Sequence, residues 1–229
     1  MQWIQYFSES KVPFQIYKLS SNDSVTCTIN TAKHPYIIIL QGIIYVLKIF
    51  TNHEKITLGI LTKGDIISKP KNTKYCYYTL VALEKTFMMS FKRKDITKDK
   101  YIIESVAKSY EKTLYKYEIM NCILSHKSAK QRIIQLLFLL YQEFALVEKT
   151  QIRIPFYISQ ITLSTIIGSK KNIVNKIMNE LYNINLISYS YQKYICITDP
   201  FILNYYHSYK KIIINKHNIA CYNSNNYRM

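Results

Sequence analysis

Short apolar runs dominate the N-terminal half of the chain. Runs at 25–30, 36–40, 43–50, 55–61, 75–83 and 86–91 are rich in Ile, Val, Tyr and Thr, residues that suit a pleated, half-buried surface. Turn signals separate them: His34-Pro35, Gln41-Gly42, Thr51-Asn52-His53 and Lys63-Gly64-Asp65. Gly42 is the strongest of these, because glycine takes positive φ with no Cβ to clash. Several short strands at regular spacing predict an antiparallel roll or barrel over residues 1–100. The most apolar stretch, 36–50, is interrupted by Gln41, Gly42 and Lys48. It falls short of the roughly 20 residues that a membrane-spanning helix needs. Residues 1–11 lack a basic start followed by an apolar core, so no signal peptide is read.

Beyond Lys92 the period lengthens. Ile103, Val106, Tyr110, Thr113, Tyr117, Met120 and Leu124 recur in alternating steps of three and four, the spacing of a coiled-coil seam. A helix over 101–124 follows, with two uses open to it: pairing with a second copy to make a homodimer, or laying one amphipathic face on the roll. Residues 124–127 read as a break. Ser128 is placed to cap a further helix over 129–144, with Ile133, Ile134, Leu137, Leu140 and Phe144 on its buried face. Residues 147–156 read as a loop leading into a short strand. The organisation is α+β: a roll at 1–100, a long helix at 101–126, a smaller unit at 127–203 and an extension at 204–229.

The smaller unit carries the pattern with chemical content. Ser159 can cap a short helix through Ile166, Gly168 supplies a sharp turn, and Ser169 can cap a second helix to about Ile184. Ile173, Val174, Ile177, Met178, Leu181 and Ile184 form one apolar face at helical spacing. The other face presents Lys170, Lys171, Asn172, Asn175, Lys176 and Asn179, with no acidic residue before Glu180. Helix, glycine turn and a basic, amide-bearing second helix make the plan of a DNA-binding helix-turn-helix. Asparagine can bond two atoms of an adenine edge, and lysine can donate to guanine O6 and N7. Next, 186–188 and 194–197 read as a two-stranded wing around Tyr191-Gln192-Lys193, which sets Lys193 beside the phosphate backbone.

Composition supports a polyanionic partner. Thirty-one Lys and Arg against 14 Asp and Glu leave a formal charge of +17. Such an excess works against a compact state unless a partner neutralises it, and nucleic acid would do so by counterion release. A/T-rich codon usage also raises lysine, alongside Ile, Asn and Tyr, without any function. The five cysteines (Cys27, Cys76, Cys122, Cys196, Cys221) are scattered, with no pair at the spacing of a metal knuckle or redox dithiol. The five histidines stand far apart, and the chain has only four glycines. We read no metal site, no catalytic residue and no cofactor, and the sequence is not that of an enzyme.

Ser159-Gln160-Ile161-Thr162-Leu163-Ser164-Thr165-Ile166-Ile167-Gly168-Ser169, with Ile173-Val174, Leu181 and Leu186-Ile187-Ser188, resembles the winged helix-turn-helix of the cAMP-receptor/FNR superfamily. Tyr36-Ile37-Ile38-Ile39-Leu40-Gln41-Gly42 and Ile56-Thr57-Leu58-Gly59-Ile60-Leu61 resemble its cyclic-nucleotide-binding-like β-roll. Within the superfamily the chain is similar to the NtcA-type global nitrogen regulators of cyanobacteria and red-algal plastids. The resemblance spans roughly residues 12–203.

That resemblance implies a transcription activator: a homodimer joined through the long helix, bound to a two-fold-symmetric double-stranded site and touching RNA polymerase. The paired reading helices would lie about 34 Å apart. It assigns base reading to Lys171, Asn172 and Lys176, where the family has arginine at the first and third positions. Residues 64–75 lack the arginine-serine pair and ribose-binding glutamate of cAMP-binding members, so cAMP is not expected. NtcA-type regulators sense 2-oxoglutarate through arginines whose positions fall here on Cys76 and Thr113, while a helix glutamate is kept as Glu118. Cations near in sequence are Lys69, Lys71, Lys74 and Lys116. Two readings stay open: a regulator gated by a small metabolite, and a constitutive or partner-controlled one. Composition and resemblance point to a plastid, otherwise to the cytoplasm. Without a transit segment, synthesis would take place inside the organelle.

Overall fold

The structure is a computed structural model that describes residues 2–27, 35–68, 75–96, 99–148, 151–200 and 202–203. The N-terminal part carries α1 (Gln2–Glu9), β1 (Phe14–Leu19), β2 (Ser24–Cys27), β3 (Pro35–Gln41), β4 (Ile44–Phe50) and β5 (Lys55–Leu61). Then come β6 (Ile66–Ser68), β7 (Cys76–Ala82), β8 (Thr86–Lys92), α2 (Arg93–Ile96), the long α3 (Lys100–Ser125) and α4 (Ala129–Phe144). The remainder is β9 (Leu146–Glu148), β10 (Gln151–Arg153), α5 (Gln160–Ile166), α6 (Lys171–Asn183), β11 (Ile187–Tyr189) and β12 (Ile195–Ile197).

The first eight strands make two antiparallel sheets, ordered β1-β8-β3-β6 and β2-β7-β4-β5. Between β3 and β4 the chain turns at Gly42 with φ +95°, and a Cβ there would sit 2.3 Å from Thr86 Oγ1. Both faces of β4 are covered. Ile44 and Val46 point into the roll with Leu61, Leu80 and Met88. Tyr45, Leu47 and Ile49 join a second core with Met120, Ile133, Leu137, Leu163, Ile177 and Ile197. This explains why 43–47 is apolar without alternation: the side chains on either face have a core to enter. Each fully buried Leu or Ile contributes about 1.5–3 kcal/mol, so β4 fastens the C-terminal unit to the roll. The apolar core is continuous across residue 127.

The expected strands appear within a residue or two, as far as residues are described; 28–30 of the first run lie outside them. Four elements of this half were not expected: α1, β1, β6 and α2. On β1, Ile16 and Tyr17 are both about half exposed, so an edge strand shows no alternation. α1 is short and packs Phe7 against Phe14 and Phe91. Further on, 147–156 contains strand residues of the β9–β10 hairpin rather than a plain loop.

Asp99 caps α3, accepting from the N–H groups of Tyr101 and Ile102. Hydrogen bonding from Ser10, then from those backbone groups, holds its carboxyl below the usual range. Of the two uses read for this helix, six of the seven stripe residues take the second. Val106, Thr113 and Met120 are buried against their own chain, at 7%, 0% and 0% exposure, which removes them from a dimer seam. Tyr110, Tyr117 and Leu124 are half-buried on the same side. Tyr117 lies against Gly59, where a Cβ would sit 2.7 Å from its ring. What faces outward is Ile103, the stripe member left exposed, with Ala107, Leu114 and Asn121, one position round from Val106, Thr113 and Met120. At the head of α4, Ser128 occupies the N-cap position but makes no side-chain cap bond.

Candidate nucleic-acid interface

Ser159 caps α5, its Oγ accepting from Thr162 N–H at 3.0 Å. Gly168, at φ +61°, turns the chain toward α6. Ser169 is not the cap of α6. Its N–H donates to Ser164 O at 2.9 Å, and Lys170 is the N-cap residue, with no side-chain bond. Two groups from elsewhere in the chain hold this turn. Arg132 on α4 donates from Nη1 to Ile167 O at 2.8 Å and from Nε to His126 O at 2.9 Å. Thr57 on β5 donates to Thr165 O at 3.4 Å. Neither anchor was read from the sequence. A lone Arg or Thr in an amphipathic element carries no signal of which carbonyl it will meet.

At about 100° per residue, α6 has four sides. Val174, Ile177, Met178 and Leu181 are buried and hold the helix to the core. Asn172, Lys176 and Asn179 lie on the opposite side and are exposed. On one flank Glu180 meets Lys130 of α4 at 2.9 Å. Ile173 shares that flank and is 44% exposed, so it does not belong to the apolar face. On the other flank Lys171, Asn175 and Tyr182 turn toward β11, and the Tyr182 ring lies 6.0 Å from that of Tyr189. Asn175 is half-buried, and its Oδ1 has no hydrogen-bond partner among the described residues. It is a poorer contact residue than its sequence position suggested.

The hairpin β11–β12 continues into a third sheet, ordered β11-β12-β10-β9. Its tip is a turn closed by Ser190 N–H to Tyr194 O at 2.9 Å, with Lys193 at φ +61°. Tyr191 and Lys193 are exposed there. The arrangement presents exposed amides and ammonium groups on a rigid rod, beside a hairpin tip carrying a further cation.

Of the residues assigned to an effector, the described ones stand in different surroundings. Lys69, Lys71 and Lys74 lie outside the described residues. Cys76 is half-buried at the start of β7, paired in register with Phe50. Thr113 is fully buried and its hydroxyl is spent, accepting from Ile66 N–H at 2.9 Å and donating to Ser109 O at 3.0 Å. Glu118 is exposed, five residues on and so about 140° round the helix. Lys116 faces inward instead. Its Nζ lies 2.6 Å from Asp65 Oδ2, 2.8 Å from Thr62 Oγ1 and 3.8 Å from Glu143 Oε2. Asp65 was read only as part of a turn, and it is 0% exposed. Among the described residues no group of three His, Cys, Asp or Glu could hold a metal ion, and no helix is long and apolar enough to cross a membrane.

This architecture is the fold of CRP/FNR-type transcription regulators. A CooA variant from Carboxydothermus hydrogenoformans superposes with a TM-score of 0.67 at 17% identity, covering 84% of this chain and 87% of that one. A CRP-family transcriptional regulator from Thermus thermophilus gives 0.67 at 18%, covering 82% and 94%. FixK2 from Bradyrhizobium japonicum gives 0.64 at 14%, covering 84% and 96%. In sequence, the chain is 28% identical over 214 residues to a Porphyra purpurea protein with the provisional name HTH-type transcriptional regulator ycf28, covering 88% of this chain and 86% of that one. No family model matches. Of these, the Thermus thermophilus and Porphyra purpurea proteins are named as transcriptional regulators.

Proposed function

We propose that this chain is a CRP/FNR-type transcription regulator that binds a specific two-fold-symmetric site on double-stranded DNA as a homodimer. The outward row Asn172, Lys176 and Asn179 carries the reading: hydrogen-bonding side chains on a helix with a fixed back, at the spacing a major groove admits. The paired joint is α3, through the stripe Ile103, Ala107, Leu114 and Asn121, which steps by four, seven and seven as one side of a coiled coil. Similarity to the Porphyra purpurea regulator and to CRP-fold structures supports this. Activation through RNA polymerase, control of nitrogen-related genes and a plastid setting rest on the resemblance to NtcA-type regulators.

For the roll, the observations favour a regulator that needs no small effector. Thr113 stands where the resemblance expects a cation, and Lys116 is already matched to Asp65. Selection of bound sequences from a two-fold-symmetric DNA library, with and without 2-oxoglutarate, tests both readings. The expected result is one enriched palindrome whose affinity does not respond to the metabolite. No enrichment would refute the regulator reading, and a metabolite-dependent affinity would restore the gated one.

A further inference from the structure

We propose that Lys171 grips a backbone phosphate together with Lys193 and does not read a base. This rests on the DNA-binding reading above and departs from the role that its place at the head of the recognition helix suggests. A hollow of about 510 Å³ opens between the start of α5, the first turns of α6 and the β11–β12 hairpin. Lys171 and Lys193 both line it, with Tyr157, Ser159, Gln160 and Tyr189, and no lining residue is acidic.

The helix geometry separates this hollow from the reading face. Lys171 and Met178 are seven residues apart, both line the hollow and so mark the flank that faces the hairpin. Asn172 stands about 100° further round, in line with Asn179. When Asn172, Lys176 and Asn179 meet base edges, Lys171 is directed at the rim of the groove, where the phosphates run. Two ammonium groups from separate elements, with hydroxyl and amide donors between them, suit an anionic oxygen. Base edges, by contrast, need a directional pair of bonds. Lysine acts there as a point charge and loses nothing by lacking arginine's fork. Base reading then falls on two asparagines and one lysine, a set that favours adenine over guanine.

The test uses the full-length protein and its selected DNA site. Affinity is measured across a potassium chloride series, and again on every single base-pair substitution of the site, for wild type, Lys171→Ala, Lys193→Ala and Asn172→Ala. Lys171→Ala and Lys193→Ala should each lower the salt slope by about 1 and weaken all sites by the same factor. Lys171→Arg should keep the slope. Asn172→Ala should instead flatten the preference at one base pair. A Lys171→Ala protein that loses preference at a particular base pair overturns the proposal, and so does a Lys193→Ala protein with the wild-type slope. A wild type that binds DNA without sequence preference refutes the regulator reading alone, because the two lysine slopes would still decide the clamp.

Discussion

Replacing Asp65 by alanine tests whether the roll and the long helix are locked by a charge pair. Asp65 is 0% exposed and the Lys116 side chain 9%. One carboxylate oxygen takes the Lys116 ammonium at 2.6 Å, Thr62 N–H at 2.7 Å and Thr62 Oγ1 at 3.3 Å. Truncation leaves the ammonium inside the protein with the Thr62 hydroxyl and, 3.8 Å away, a Glu143 carboxylate on a side chain that is 41% exposed. Removing one partner of a buried pair costs about 3–5 kcal/mol, because the other charge stays desolvated. Glu143 can lean in, so the lower end, about 3 kcal/mol, is expected here. For a chain of this length, that lowers the melting temperature by roughly 6–12 °C. Urea unfolding followed by tyrosine circular dichroism and by calorimetry measures it. The companion variant Lys116→Met, alone and combined with Asp65→Ala, completes a double-mutant cycle. Since an apolar replacement of both partners is often near neutral, the double variant should be more stable than Asp65→Ala alone by about 2 kcal/mol. A loss below about 1 kcal/mol in Asp65→Ala, or a cycle with no coupling, would refute the lock.

Gly42→Ala should cost about 1–3 kcal/mol in urea unfolding, since the new Cβ would lie 2.3 Å from Thr86 Oγ1 on a backbone at φ +95°. A variant as stable as wild type would remove the steric argument. Leu114→Asp, on the exposed side of α3, should convert a dimer to a monomer in sedimentation; an unaltered mass would place the joint elsewhere. Burial raises the Tyr117 hydroxyl above its ordinary value of 10.0. The stability it contributes is therefore complete below pH 10, declines as pH climbs past 10, and is lost once the folded group ionises. Ultraviolet titration should show a late-ionising tyrosine that disappears in Tyr117→Phe, and a profile unchanged by that variant would contradict the burial.

The roll was legible because strands broadcast locally. Ile, Val and Tyr runs punctuated by Gln41-Gly42 and Lys63-Gly64-Asp65 place β3 to β5 and β7 to β8 within a residue or two. Elements held by context were silent. β1 is an edge strand with both Ile16 and Tyr17 half exposed, so no period marks it. The paired helices near Gly168 were legible for the same local reasons, yet the sides of α6 were not. Period alone put Ile173 among the buried residues, because it adjoins Val174 and Ile177. Its place about 90° round from the centre of the buried face leaves it on an exposed flank instead. The stripe on α3 shows the limit most plainly. Spacing of three and four states that a helix has a wet and a dry side, and it is silent on whether the dry side meets a partner or the same chain. Lys116 deepens the ambiguity, since a lysine reads as surface until Asp65, 51 positions away, is seen to face it.

Thr113→Arg brings these strands of reasoning to one variant. By resemblance, arginine at this position would equip the roll for 2-oxoglutarate. In the structure, Thr113 is 0% exposed and its hydroxyl already joins Ile66 N–H to Ser109 O. A guanidinium there must displace that bridge and lie three residues from the Lys116 ammonium, with the nearby Asp65 carboxylate already holding Lys116 through Oδ2 while its Oδ1 has no partner among the described residues. The expectation is a loss of about 3 kcal/mol, from a second buried cation beside Lys116 and an orphaned amide. Because one core joins β4 to α6, the loss should also lower DNA affinity, although residue 113 lies well away from the reading face. A dianionic ligand could neutralise the added guanidinium. Thermal melts of Thr113→Arg with 2-oxoglutarate therefore separate two histories of the same roll. No shift means that Asp65 has taken the place of an effector, and the α3 alignment is built in. A rise of several degrees in the variant alone means that the roll can still take the dianion once a cation is supplied.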